Sequence, residues 1–262
     1  MRSRKDTLNI IVAVLILVLS GYALLHLLIM RYSSGDVYPE YSSMRTDPFG
    51  TKAFYESLRD CCDLRVSRNF EEFSKIKNNT NVTVIFAGAN FSGDKIPESF
   101  FNDLESFMKN GGRLVVTYKS SGFFRKISVE QEKRQEEKEK SEKKKPEKKS
   151  EDENALIKFI SLSERWGLKY EEADWEGFRS VRLVADLRLP KVLTWHSPVY
   201  FELSGTDWRT IYKQDDHAVL VERNFGKGSL VLASETFFLS NEAMLRDRHS
   251  DLLAWLVGPN KE

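Results

Sequence analysis

Cysteine is scarce in this 262-residue chain, and its two cysteines, Cys61 and Cys62, are neighbours. A trans peptide holds adjacent Cα atoms about 3.8 Å apart, short of the roughly 4.4–6.8 Å that an ordinary disulfide spans. The pair therefore reads as two small buried hydrophobes. No Cys-x-x-Cys or His-x-x-x-His pair occurs, so a structural zinc is not expected, and neither is any cofactor. An excess of one charge is missing as well: 40 Lys and Arg stand against 39 Asp and Glu, a net +1. Proteins whose affinity comes from neutralising phosphates carry a basic surplus, so no nucleic-acid partner is expected. The Gly-x-Ser-x-Gly elbow is absent. Gly226-Lys227-Gly228 lacks the Gly-x-x-x-x-Gly-Lys-Ser/Thr spacing of a phosphate loop and lies between two apolar runs, as a hairpin turn would.

What the chain does have is one long apolar run. Leu8 to Met30, "LNIIVAVLILVLSGYALLHLLIM", carries no charged residue. At about 1.5 Å per residue it crosses a hydrocarbon core of about 30 Å. It reads as a transmembrane helix rather than a cleaved signal, whose apolar stretch is roughly 7–15 residues long and ends in a small-x-small site. His26 inside it is expected to be neutral and to face the interface. Arg2, Arg4 and Lys5 precede the span, while Arg31 and Arg45 are the nearest cations after it. That asymmetry predicts a single-pass protein of the cell membrane, with the bilayer as a partner, its N-terminus inside and the soluble part outside the cytoplasm. Asn78, Asn81 and Asn90 stand in Asn-x-Ser/Thr triplets.

The chain divides into an anchor (1–31, span 8–30), a polar tether (32–46) and a folded domain (47–258). Asp47 is expected to cap a helix with Pro48 in its first turn and Phe49, Ala53, Phe54 and Leu58 on one face. A short strand, Leu64 to Ser67, follows. "NVTVIFAGAN", "PESFFNDLESFMK" and "RLVVTYK" then read as strand, helix and strand, a βαβ unit with parallel pairing. From Glu130 to Glu153 the residues are almost all Glu, Lys and Arg with both signs interleaved. Such a stretch cannot bury a core, so 128–153 is expected to be a solvated, disordered or fraying insertion. "ENALIKFISLSERWGLKY" resumes a helix ending at Gly167. "SVRLVADLRL", "PVYFEL" and "DWRTIYKQ" alternate as antiparallel strands. "HAVLVERNFGKGSLVLASE" is a hairpin, and Asn241 to Val257 is a closing helix with Leu245, Leu252, Leu253 and Leu256 inward.

Open α/β sheets place ligands beyond the C-terminal ends of their strands. The loops expected there are Ser43 to Thr51, Gly88 to Gly93, Lys119 to Gly122 and Glu235 to Asn241. They supply a candidate binding set of Ser42, Ser43, Asp47, Gly50, Thr51, Ser120, Glu235 and Asn241, suited to a peptide or small polar ligand. Helix caps and turn glycines explain the same residues without a ligand. Ser120 with His217 or His249 can be drawn as a hydrolase pair, though nothing in the spacing supports it.

Taken in order, "YSSMRTDPFGTKAFYESL", "NVTVIFAG", "FMKNGGRLVV", "LSERWGLKY" and "ERNFGKGSLVLASETFFLSNEAM" resemble the bacterial and archaeal domain of unknown function 4350 family. That resemblance implies a class I glutamine amidotransferase-like domain. The expected fold is a three-layer, Rossmann-like α/β domain with a mostly parallel sheet and added antiparallel strands. The resemblance also implies partners in a membrane complex associated with a MoxR-type AAA+ ATPase. The amidotransferases carry their cysteine at the turn matching Lys119-Ser120-Ser121-Gly122, where this chain has none, so the expected domain is a binding or scaffolding module without catalysis. The alternatives are a membrane-tethered serine hydrolase using Ser120 or Ser121, and a small-ligand sensor.

Overall fold

A computed structural model of the chain describes residues 4–35, 37–61, 63–76, 80–90, 96–119, 158–173 and 177–260. The expectations for Ser120, Ser121, the charged insertion, Asn78, Cys62 and the Cys61 side chain lie outside what it describes.

Helix α1 (Arg4–Ser34) contains the apolar window Asn9–Arg31, and none of that window is buried against the rest of the chain. It is long and apolar enough to span a membrane. Within it, the Tyr22 and His26 rings stack at 6.1 Å.

The body is a curled, mixed sheet with helices against it. Its main path runs β1 (Thr83–Ala89), β3 (Arg113–Tyr118), β11 (Gly228–Ala233), β10 (His217–Phe225), β9 (Trp208–Gln214), β6 (Arg179–Leu183) and β7 (Val192–Trp195). β8 (Val199–Leu203) pairs with β10 and with β5 (Leu168–Glu172). β2 (Ile96–Pro97) and β4 (Phe159–Ile160) form a separate short ladder.

Parallel pairing is confined to β1 with β3 and β3 with β11; every other pairing among the described residues is antiparallel. The expectation of a mostly parallel sheet is therefore corrected. The reason is connection length: β6 to β7 and β9 to β10 to β11 follow one another through short turns, and short turns permit only antiparallel neighbours.

The parallel centre is covered on both faces, which explains the near-continuous burial of β3 and β11. On one face Leu114, Leu230 and Leu232 pack with Phe101, Leu104, Phe107 and Met108 of helix α3 (Glu98–Lys109). On the other, Val115, Val231 and Ala233 pack with Phe54 of helix α2 (Lys52–Cys61) and with Leu252, Leu253 and Leu256 of the last helix. Glu105 of α3 ties in the five-residue helix α4 (Leu162–Trp166): its carboxylate accepts from Arg165 Nε at 2.7 Å and Trp166 Nε1 at 3.1 Å. Burial pushes that carboxyl's pKa up, but the hydrogen bonds from Arg165, Lys109 and Trp166 outweigh it and hold the value at about 2.

Three element expectations change. The helix ending at Gly167 begins only at Leu162, because Ser161 and Glu164 form a reciprocal capping box there and Phe159–Ile160 pairs as a strand instead. The closing helix is two helices, α5 (Asn241–Arg246) and α6 (Ser250–Val257), broken at 247–249. That break leaves Leu245 at 83% exposure, not in the core. Residues 64–68 have no regular secondary structure, though Leu64, Val66 and Arg68 are less exposed than Arg65 and Ser67; they join no strand, so the outer edge of β1 has no strand partner among the described residues. The turn at Gly226-Lys227 does join β10 to β11, as the glycine spacing predicts.

Candidate functional site

The candidate site grows from the stretch Tyr41 to Thr51. Asp47 does not cap α2. Its carboxylate is held by Arg45, whose Nε donates to Oδ1 at 3.0 Å and whose Nη2 donates to Oδ2. Asp47-Pro48-Phe49-Gly50 is a turn closed by Gly50 N–H to the Asp47 carbonyl, and the helix starts beyond it, with Tyr55 N–H bonding to the Thr51 carbonyl. Thr51 stands at the cap position, but its hydroxyl donates to the Tyr41 carbonyl instead.

The cap comes from the other end of the sequence. Asn241 Oδ1 accepts from Ala53 N–H at 2.8 Å, while its Nδ2 donates to the carbonyls of Arg45 and Asp47. The Asn241 backbone N–H donates to Gly50 and that of Glu242 to Pro48. A single side chain thus closes a helix N-terminus and two loop carbonyls, joining α2 to α5. Gly50 permits the approach: a Cβ there would lie 2.1 Å from the Arg45 carbonyl oxygen.

Ser42 and Ser43 face elsewhere. The Ser42 hydroxyl accepts from Met44 N–H, and Ser43 receives Arg68 at both its hydroxyl and its carbonyl.

Glu235 stands two residues past the end of β11 and is completely buried. Its Oε2 accepts the backbone N–H groups of His196 and Ser197, and its Oε1 lies 3.5 Å from His196 Nδ1. Burial raises this carboxyl's pKa, and the bonds from His196 and Ser197 offset part of the rise. The His196 ring sits between Phe178, at 4.7 Å, and Phe237, at 4.0 Å. Tyr41, 4% exposed, is part of the same edge: burial and the nearby Glu235 charge push its phenol up. It lies against Gly88, where a Cβ would come within 2.9 Å of the Tyr41 side chain. Thr236 Oγ1 accepts from Gly88 N–H and bonds to Thr117 Oγ1 and the Tyr118 carbonyl, sewing together the ends of β1, β3 and β11.

Of the candidate set, Gly50, Thr51, Asp47 and Asn241 come together as a clasp. Glu235 sits beyond it with Tyr41 and His196, and Ser43 belongs to the Arg68 contact. His217 packs instead on Tyr200, and His249 pairs with Asp247. His196 carried no sequence signal, since it stands between two strands in no periodic pattern. Tyr41 fell in a stretch whose composition reads as a tether. Among the described residues no group of three His, Cys, Asp or Glu is placed to hold a metal.

A groove of about 780 Å³ opens beside the clasp, lined by Tyr38, Ser43, Leu58, Arg68, Phe73 and Phe86 among others. Its lining includes residues 64–71 and residues 82–87 at the open edge of β1.

A family model described as a domain of unknown function, DUF4350, matches residues 42–257. No curated protein matches the chain. Solved structures similar to it include the mmIFT52 N-terminal domain, at 13% identity and TM-score 0.47, covering 79% of this chain and 90% of that one. An exo-beta-1,4-mannosidase from Opitutaceae bacterium strain TAV5 has 9% identity and TM-score 0.35, covering 67% of this chain and 24% of its own. A beta-galactosidase from Bacillus circulans sp. alkalophilus has 12% identity and TM-score 0.32, covering 63% and 22%. Likeness at this level transfers no activity.

Proposed function

We propose, from the premise that this chain belongs to the domain of unknown function 4350 family, that it is a membrane-anchored binding or scaffolding module rather than an enzyme. Its domain is read as a degenerate class I glutamine amidotransferase-like fold. The observation that carries the reading is the clasp: Thr51, Asp47 and Asn241, the polar groups an active edge would offer to a ligand, are engaged with one another and with backbone. Side chains fixed in this way define a rigid surface. The parallel centre covered by helices on both faces is compatible with the amidotransferase-like descent, and α1 with the anchor. The resemblance to the family supports a partner complex built around a MoxR-type AAA+ ATPase. An N-terminus inside would place the domain away from such an ATPase, so contact then runs through other membrane subunits.

Affinity purification of the full chain from membranes is expected to retain the ATPase or a membrane subunit bound to it; recovery of the chain alone would sink the scaffold reading. One observation favours a second reading. Glu235 and His196 form a carboxylate–imidazole pair at the strand ends, the arrangement that orients a general base. A serine-reactive probe decides between the two readings: labelling of the full chain that disappears in Ser120→Ala or Ser121→Ala establishes the hydrolase. A small-ligand sensor is a third reading, and thermal-shift screening of the full chain in detergent is its test.

A further inference from the structure

The geometry points to the lip of the groove as a surface that lies in the lipid headgroup layer and holds an anionic phospholipid, with Arg68 as its anion partner and Tyr38 and Phe70 as interfacial anchors. This rests on the reading of α1 as a membrane anchor.

The argument is one of distance. The apolar window of α1 ends at Arg31 and the helix at Ser34, so less than about 6 Å of helix rise separates the edge of the hydrocarbon from the helix end. The headgroup layer on each side of a bilayer is itself roughly 5–7 Å thick, taking about 40–45 Å overall against an apolar core of about 30 Å. Gly35, which follows α1 in the left-handed conformation (φ 76°), is buried directly against the lip. A Cβ on it would lie 2.6 Å from the Met44 carbonyl oxygen and 3.0 Å from Arg45 Cα. Ser43, next to Met44, receives the Arg68 guanidinium. The end of α1, Met44, Ser43 and Arg68 therefore form one contiguous chain of contacts among the described residues.

The side chains there suit that layer. Phe70 is 81% exposed and Tyr38 is also exposed, both within the same lip. Aromatic residues at this depth are favoured because their rings sit among headgroups and glycerol. Arg68 stacks on Tyr55 at 3.7 Å and donates to the uncharged hydroxyl and carbonyl of Ser43, and among the described residues no carboxylate pairs with it, so its charge is available to a phosphate. Arg65 lines the same groove. A basic group near an anionic membrane surface is attracted to it. A peptide bound along the β1 edge is the competing occupant, but nothing in it would account for Gly35 and the helix end being sealed to this lip.

The test uses the full chain in nanodiscs containing a photoactivatable phosphatidylglycerol, with adducts mapped by mass spectrometry. Adducts are expected on α1 and on residues 65–70, with none on the β10–β11 turn at Lys227, which is not among the residues lining the groove. Arg68→Gln, and separately the exposed change Phe70→Ser, are expected to lower the 65–70 adducts several-fold while leaving the α1 adducts unchanged. If α1 is labelled and residues 65–70 are labelled no more than Lys227, the proposal is overturned while the anchor stands. If α1 itself takes no adduct, the anchor reading fails and the proposal with it. Equal labelling of 65–70 by a photoactivatable phosphatidylcholine overturns the choice of an anionic headgroup.

Discussion

Glu235 carries its carboxyl into the interior of the protein. Its place after the last strand, at the sheet edge, follows from the hairpin pattern alone. Its complete burial, and its pairing with His196 from a different loop, do not. Because burial raises its folded pKa, the sign of its pH effect is the reverse of a surface carboxylate. The stability tied to its neutral form is fully present below the ordinary carboxylate value and is lost as pH rises through that value toward the folded one. Glu235→Gln keeps an oxygen for the His196 and Ser197 amides without the buried charge. The variant's denaturation midpoint is therefore expected to match or trail wild type in acid and to exceed it at neutral pH. A pH series of paired denaturant titrations checks this, and a wild-type advantage that grows with pH would refute it.

At the scale of elements, the start of α2 is decided by a partner 188 residues away in sequence. Asp47-Pro48 carries every local sign of a helix N-terminus, yet the helix begins at Lys52, since Arg45 captures the carboxylate and Thr51 turns toward Tyr41. Local propensity is a weak prior, and here tertiary hydrogen bonds override it. Asn241→Ala removes the cap and two donors to loop carbonyls at once. The expected loss is about 2 kcal/mol, in the upper range for a cap, measured as a lowered denaturant midpoint with an unchanged slope. Asn241→Asp keeps the acceptor for Ala53 but sets a carboxylate oxygen against the Arg45 and Asp47 carbonyls, and is expected to lose at least as much. The 64–68 segment makes the complementary point: its alternation is real and shows in its burial, but strand assignment needs a neighbour at hydrogen-bonding distance, and β1 does not receive it.

At the scale of the whole molecule, the stretch that follows α1 is packed into the domain. Tyr41, from the stretch that reads as a tether, is buried against Gly88 and beside Glu235. Tyr41→Ala empties that position and is expected to destabilise the domain by about 3 kcal/mol. It is also expected to expose 38–46 to protease in the full chain, read as a cleavage that separates α1 from the domain. Unchanged protease resistance would show that the docking of this stretch does not depend on Tyr41.

The sequence by itself determined what depends on neighbours in the chain: the apolar span, the βαβ unit around α3, the β10–β11 hairpin and the absence of a basic surplus. Each rests on periodicity, length or composition, which are local quantities. The tertiary structure alone decided that antiparallel pairing prevails, that Asn241 caps α2, that His196 meets Glu235 and that Tyr41 is core. Those outcomes depend on which distant groups arrive at the same strand ends. A buried polar atom takes whichever partner the fold delivers, and residue spacing does not record that choice.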